Sequence, residues 1–177
     1  MVARAGLGLP DFLRRTDIGH LDRFYWVEEG RFLAGPYPGS SDTLARLREL
    51  GVTLFIDLTE PGEYGLLPYE AHLAHEMRTI RKPIRDFTAP SPAKMREILD
   101  LIDAELAAGG VVYVHCYGGV GRTGTVVGCY LVRNGTPPEQ AIEAIARLRH
   151  KTRDAHRASP ESEEQRALIA SWEAMEL

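Results

Sequence analysis

Residues 111–135 constrain this chain more than any other stretch. A short apolar run, Val111-Val112-Tyr113-Val114, passes directly into His115-Cys116-Tyr117-Gly118-Gly119-Val120-Gly121-Arg122-Thr123-Gly124. An apolar-rich segment follows, closed by Asn134-Gly135. The run has the length and apolar continuity of a strand buried on both faces. Asn-Gly is a helix stop. Strand, glycine-rich loop and helix in that order belong to an α/β chain.

The flanking sequence fits the same class. Phe24-Tyr25-Trp26-Val27 and Arg31-Phe32-Leu33-Ala34 enclose Gly30 and predict a hairpin. Ser40, Ser41 and Asp42 are N-cap candidates for a helix carrying Leu44, Leu47 and Leu50. Residues 52–58 and 77–84 read as strands, with a helical stretch over 69–75. Ser91-Pro92 opens a helix whose stripe is Met95, Ile98, Leu99, Ile102 and Leu106. Thr136-Pro137-Pro138-Glu139 has capping-box spacing ahead of Ile142, Ile145 and Leu148. Ser159-Pro160 is expected to start a last helix with Leu168, Ile169, Trp172 and Met175 inward. The expected fold is α/β, a short, mostly parallel central sheet flanked by helices. Residues 1–21 read as an N-terminal arm and 22–177 as a single domain, in keeping with a 177-residue chain.

Three chemistries compete for the loop. Gly119-x-Gly121-x-x-Gly124 matches a dinucleotide fingerprint, but that unit needs another strand after its helix, and here helices follow. A Walker A loop needs Gly-Lys-Ser/Thr, and the loop has no lysine. The third reading uses every unusual residue. Amides of residues 117–121 and the helix N-terminus converge on an anion. Arg122 clamps two of its oxygens. The same positive surroundings favour a Cys116 thiolate, which becomes a nucleophile toward a bound phosphoryl group. Gly118, Gly119 and Gly121 allow the tight turn, and Thr123 is placed to hydrogen-bond the thiolate as it leaves. From average residue frequencies, His-Cys-x-x-Gly-x-x-Arg-Thr-Gly arises by chance in roughly one in a million chains of this length.

Composition confines that chemistry to one pocket. With 25 acidic and 21 basic residues the net charge is −4, unlike a bulk binder of nucleic acid or anionic membrane. No apolar run reaches the length of a membrane span. Two cysteines cannot make a disulfide framework. The expectation is a cytoplasmic monomer that neither binds nucleic acid nor inserts in a membrane.

The run from His115 to Thr123 resembles the signature of cysteine-dependent protein tyrosine and dual-specificity phosphatases. Further stretches are similar to the small atypical dual-specificity members: the hairpin, Leu58-Thr59-Glu60, Ile84-Arg85-Asp86-Phe87, and Pro160-Glu161-Ser162 leading to Gln165. The resemblance implies metal-independent, cofactor-free phosphomonoester hydrolysis through a cysteinyl-phosphate. Cys116 would be the nucleophile and Arg122 the clamp, with Tyr117, Gly118, Gly119, Val120 and Gly121 around the phosphoryl group. Asp86 would be the general acid, on a proline-flanked loop able to close. His115 would support the loop and tune Cys116, Glu60 or Glu63 would fix the Arg122 fork, and Gln165 would orient the hydrolytic water.

Cys129 reads as a small buried hydrophobe, and His72 with His75 lacks a third metal ligand. The basic run Arg147, Arg149, Lys151, Arg153 and Arg157 reads as a solvated helix end that can also attract polyanions. The expected substrate is therefore a phosphorylated protein or a small polyanionic phosphoester. The alternatives are inositol phosphates or phosphoinositides, or a phosphate-binding adaptor without turnover.

Overall fold

The structure, a computed structural model, describes residues 22–176, with side chains to Trp172. The arm assigned to residues 1–21, and the side chain of Met175, lie outside it. The described residues form five strands and five α-helices, in the order β1 (Tyr25–Glu28), β2 (Phe32–Gly35), α1 (Ser41–Glu49), β3 (Leu54–Asp57), β4 (Arg78–Arg81), α2 (Pro92–Ala107), β5 (Val112–His115), α3 (Arg122–Arg133), α4 (Pro138–Arg149) and α5 (Glu163–Glu176). The sheet order is β1-β2-β5-β3-β4, antiparallel only at the hairpin β1-β2. This is the expected mostly parallel α/β fold.

Side-chain alternation divides the core in two. Phe32, Ala34, Leu54, Ile56, Val112 and Val114 face one way, into a cluster with α2, α3, α4 and α5. Leu33, Phe55 and Tyr113 face the other, with Leu44 and Leu47 of α1 and with Tyr69 and Met77. The α2 stripe is buried as its spacing requires. Each fully buried aliphatic there contributes about 1.5–3 kcal/mol. Among the described residues no helix is long and apolar enough to cross a membrane.

Three local expectations are corrected. Residues 69–75 give only a single 3₁₀ turn, Glu70–His72, because Tyr69 is drawn fully into the core. The spacing at Thr136 is not a capping box. Pro137 stands at the N-cap with ψ 137°, because a residue before proline avoids the helical region, so α4 starts at Pro138. The last helix starts after Ser162, not at Ser159-Pro160. The Ser162 hydroxyl accepts the Gln165 N–H (3.2 Å), while the Gln165 side-chain oxygen accepts the Ser162 N–H (3.1 Å). That reciprocal pair is a capping box, and it outcompetes the earlier serine, whose Oγ donates to the Val120 carbonyl instead (2.7 Å).

The register brings Gly35, His115, Asp57 and Arg81 into one row at the carboxyl end of the parallel strands. Ligands of open α/β sheets bind beyond that end.

Candidate active site

Cys116 leaves β5 at that end and is 3% exposed. Its sulfur accepts the Gly119 N–H at 3.3 Å. Gly119 has φ +71°, and a Cβ there would lie 2.3 Å from the backbone of Gly35 and 2.5 Å from the nitrogen of Pro36. The loop is therefore pressed onto the end of β2, and only glycine fits. On its other side, a Cβ on Gly121 would lie 2.6 Å from the Glu161 carboxylate. Helix α3 begins at Arg122, aiming its N-terminal N–H groups at the loop.

Arg122 is 1% exposed. Its two terminal nitrogens donate to Glu63, Nη1 to Oε2 at 2.7 Å and Nη2 to Oε1 at 2.6 Å. Nη1 also donates to the Ile84 carbonyl (2.9 Å), and Nη2 lies 3.1 Å from Asp86 Oδ1. Burial works against the cation, but the hydrogen bonds it donates to Glu63 and the nearby Cys116, Glu63 and Asp86 charges raise its pKa. One donor has no acceptor: Nε is buried without a partner. Of the two carboxylates considered for the fork, Glu63 is in place. Glu60 is exposed, and its N–H steadies Glu63 Oε2 (3.0 Å).

Asp86 lies across from the sulfur. Its Oδ2 accepts the Tyr64 hydroxyl at 2.8 Å, and its Oδ1 accepts the Phe87 N–H at 3.0 Å. Tyr64 also packs on Tyr117, ring centroids 4.9 Å apart. Its pKa is raised, first by the hydrogen bond to Asp86, so the phenol stays a donor. Tyr64 (φ 49°) and Phe87 (φ 60°) are the only non-glycine residues with positive φ among those described. For bulky side chains that conformation is an outlier, held only where surroundings enforce it.

Behind the loop, His115 is fully buried. Its Nε2 is hydrogen-bonded to the Tyr69 hydroxyl (2.7 Å), and its Nδ1 lies 3.8 Å from Asp57 Oδ1. Burial lowers its pKa, with Asp57 opposing. Asp57 accepts from the Thr59 N–H (2.8 Å), the Thr59 hydroxyl (2.7 Å) and Arg81 Nε (2.9 Å). Burial pushes its pKa up, but His115, the Thr59 donors and Arg81 prevail and hold it low.

A cavity of about 370 Å³ opens above the sulfur. Its walls are Cys116, Tyr117 and Gly118 from the loop, Tyr64, Asp86 and Phe87 on one side, and Arg23, Arg157 and Glu161 on the other. Val120 is buried beneath, its carbonyl held by Ser159. The Thr123 hydroxyl does not reach the sulfur. It is buried without a partner in the first turn of α3, and the Gly119 amide takes the place expected of it. Gln165 does not line the cavity. Its amide is spent on the capping box, on the Glu161 N–H (3.1 Å) and on the Thr88 carbonyl (3.2 Å).

The basic run also divides. Arg149 is buried and ties the carbonyls of Asp154 and Arg157 (3.0 Å each), while Arg157 reaches the cavity, paired with Glu161. Sequence reasoning missed Arg23, Tyr64 and the wall position of Phe87. The glycines flanking Glu63-Tyr64 were the available signal for a turn that presents an aromatic ring. Cys116 and Cys129 form no disulfide. A thiol facing an arginine and a carboxylic acid across a small cavity can displace an alcohol from a phosphoryl group.

Known proteins resemble the chain in sequence and in fold. Phosphatidylglycerophosphate phosphatase PTPMT2 of Arabidopsis thaliana is 39% identical over 115 residues, 63% of this chain and 50% of the relative. PTPMT1 of the same plant, also a phosphatidylglycerophosphate phosphatase, is 34% identical over 128 residues, 71% of this chain and 37% of the relative. The chain thus spans half or less of these curated relatives. Tk-PTP in its active form has a TM-score of 0.72 at 27% identity, covering 88% of this chain and 99% of that one. PTPMT1 in complex with PI(5)P shares the fold, with a TM-score of 0.70 at 23% identity over 86% and 96% of the two chains. The family model described as the Swiss Army Knife protein, DSP-PTPase phosphatase domain, PTP-SAK, matches residues 21–169, and the chain belongs to that family.

Proposed function

We propose that the chain is a metal-independent phosphomonoesterase of the dual-specificity type, working through a cysteinyl-phosphate. The observation that carries this reading is Arg122. It is a buried guanidinium whose Nη groups are committed and whose Nε retains an unspent N–H, and its Nη2 lies 3.1 Å from Asp86, a wall of the cavity that ends on Cys116. A buried donor without an acceptor costs about 1–3 kcal/mol, which a phosphoryl oxygen would recover.

The Cys116 thiolate attacks phosphorus in line with the leaving oxygen, forming an S–P bond as the P–O bond breaks. Arg122, the loop amides and the α3 N-terminus hold the equatorial oxygens. Asp86 gives its proton to the departing alkoxide, then takes one from the water that cleaves the S–P bond. Tyr64 holds the Asp86 carboxyl toward the cavity, and Glu63 holds the guanidinium. His115 shapes the loop from behind, a positioning role. We place the protein in the cytoplasm as a monomer.

Hydrolysis of an aryl phosphate with a chelator present is the direct test. The wild type turns over under those conditions, and Cys116→Ser loses activity on the order of 10⁴-fold. Near-wild-type turnover by that variant removes the nucleophile from the scheme.

A second reading has its own support. Two arginines outside the signature, Arg23 and Arg157, wall the cavity, and the Arabidopsis relatives are named for phosphatidylglycerophosphate. These arginines are ion-paired with Asp154 and Glu161, and their remaining N–H groups suit a headgroup that carries anionic oxygens beyond the scissile phosphate. A panel of phosphopeptides, phosphoinositides and soluble inositol phosphates separates the two by kcat/KM.

A further inference from the structure

Three large apolar side chains stand exposed among the described residues: Tyr64 at 65%, Leu67 at 45% and Phe87 at 58%. They are not scattered. Tyr64 and Phe87 are walls of the cavity that ends on Cys116, and Leu67 follows Tyr64 on the same loop. Scattered exposed apolar residues need no explanation, whereas a cluster at the mouth of a pocket does.

The backbone adds a second, independent observation. The two described non-glycine residues with positive φ are these same two aromatics. Neither is a frayed loop tip. The Tyr64 hydroxyl donates to Asp86 Oδ2, and the Phe87 N–H donates to Asp86 Oδ1. The Leu67 carbonyl is tied by the buried Tyr37, whose hydroxyl donates to it at 2.8 Å. Strained conformations held by specific hydrogen bonds cluster where a function needs them. Here they hold hydrophobic rings out into water.

We propose that Tyr64, Leu67 and Phe87 form a collar that seats the mouth of the active site on a lipid bilayer, so that the substrate is a phosphomonoester at the head of an amphiphile embedded there. The inference rests on the phosphomonoesterase reading of Cys116. Aromatic rings suit the membrane interface, with an apolar body and, in tyrosine, a polar tip. Charge supports the same occupant. On the facing wall of the cavity Arg23 and Arg157, ion-paired with Asp154 and Glu161, offer their remaining guanidinium N–H groups to the headgroup phosphate, a local contact in a chain whose net charge of −4 gives no bulk attraction to an anionic leaflet. Binding is then local and shallow, in the manner of an interfacial anchor rather than a span.

The test uses the full chain. Cosedimentation is measured with phosphatidylcholine vesicles carrying phosphatidylglycerol. Turnover is measured on phosphatidylinositol 5-phosphate in such vesicles and on its short-chain, water-soluble form, with an aryl phosphate and a phosphotyrosine peptide alongside. The wild type sediments with vesicles and prefers the vesicle-borne substrate. Leu67→Gln, outside the cavity wall, reduces that preference about tenfold, as losing one apolar contact predicts, and Leu67→Gln with Phe87→Gln abolishes sedimentation. The collar is overturned if the wild type does not sediment, if the preference survives Leu67→Gln, or if Leu67→Gln slows the phosphopeptide as much as the vesicle substrate. Absence of wild-type aryl phosphatase activity refutes the reading of Cys116 instead, and sedimentation still decides the collar.

Discussion

Two arginines lie buried among the described residues, and their partners separate chemistry from scaffolding. Arg122 is 1% exposed and Arg149 3%. Arg122 faces carboxylates, Glu63 on both terminal nitrogens and Asp86 beyond, and its pKa is raised. Arg149 meets two main-chain carbonyls, those of Asp154 and Arg157, and burial lowers its pKa. Neutral acceptors suffice to bind a chain segment together. A carboxylate pair holds a full positive charge in place for another anion, and the idle Nε of Arg122 is the donor such an anion would use. Burial alone would not have told the two apart.

The largest expected effect strikes the first of them. Arg122→Lys keeps a charge but loses the planar fork, and aryl phosphate hydrolysis should fall on the order of 10³–10⁴-fold. A loss below tenfold would erase the distinction between the arginines. Next comes Asp86→Asn, which should slow an alkyl phosphomonoester on the order of 10³-fold and an activated aryl phosphate far less. Equal losses on both substrates would sink the general-acid role. Glu63→Gln leaves the guanidinium in place without its ionic partner. It should cost about 10²-fold in kcat/KM, because small misplacements of a catalytic group are expensive.

Arg149→Met sharpens the contrast from the other side. It should lower unfolding free energy by about 2–4 kcal/mol in urea titration, by stranding two carbonyls, and leave kcat within a few-fold of wild type. A large loss of kcat with normal stability would make Arg149 part of the site. The smallest effect is one of pH. His115 has a lowered pKa when folded, so the unfolded chain binds its proton first, and stability is full above about pH 6.5, the unfolded value. Thermal scans from pH 7 to 5 should show Tm falling by a few degrees. Asp57, also held low, adds a further loss only in the acid range below its unfolded value.

The loop was legible because its chemistry is local. Cys116, Arg122 and three glycines fall within seven residues, and the strand before them is an unbroken apolar run. Asp86 was legible only through family resemblance, since one acid on a proline-flanked loop looks like any other. Arg23 reaches the cavity by tertiary packing that no local pattern announces, whereas the glycines flanking Glu63-Tyr64 signalled a turn and the basic run singled out Arg157 without placing either at the cavity. Thr123 and Gln165 illustrate the reverse. Both were expected at the site, yet the Thr123 hydroxyl makes no hydrogen bond to the sulfur, and a capping box claimed the Gln165 amide. Competition among nearby hydrogen-bond partners is decided in three dimensions.

The Gln165 amide also joins two distant parts of the chain. Through Nε2 it latches the start of α5 to the Thr88 carbonyl, two residues beyond Asp86, at 3.2 Å. One neutral hydrogen bond is worth about 1 kcal/mol, so releasing this latch shifts a closed-to-open ratio only about fivefold. The segment bearing Asp86 is thus tied to α5 by a bond easily given up, and its firmer hold comes from the Tyr64 hydroxyl and Arg122.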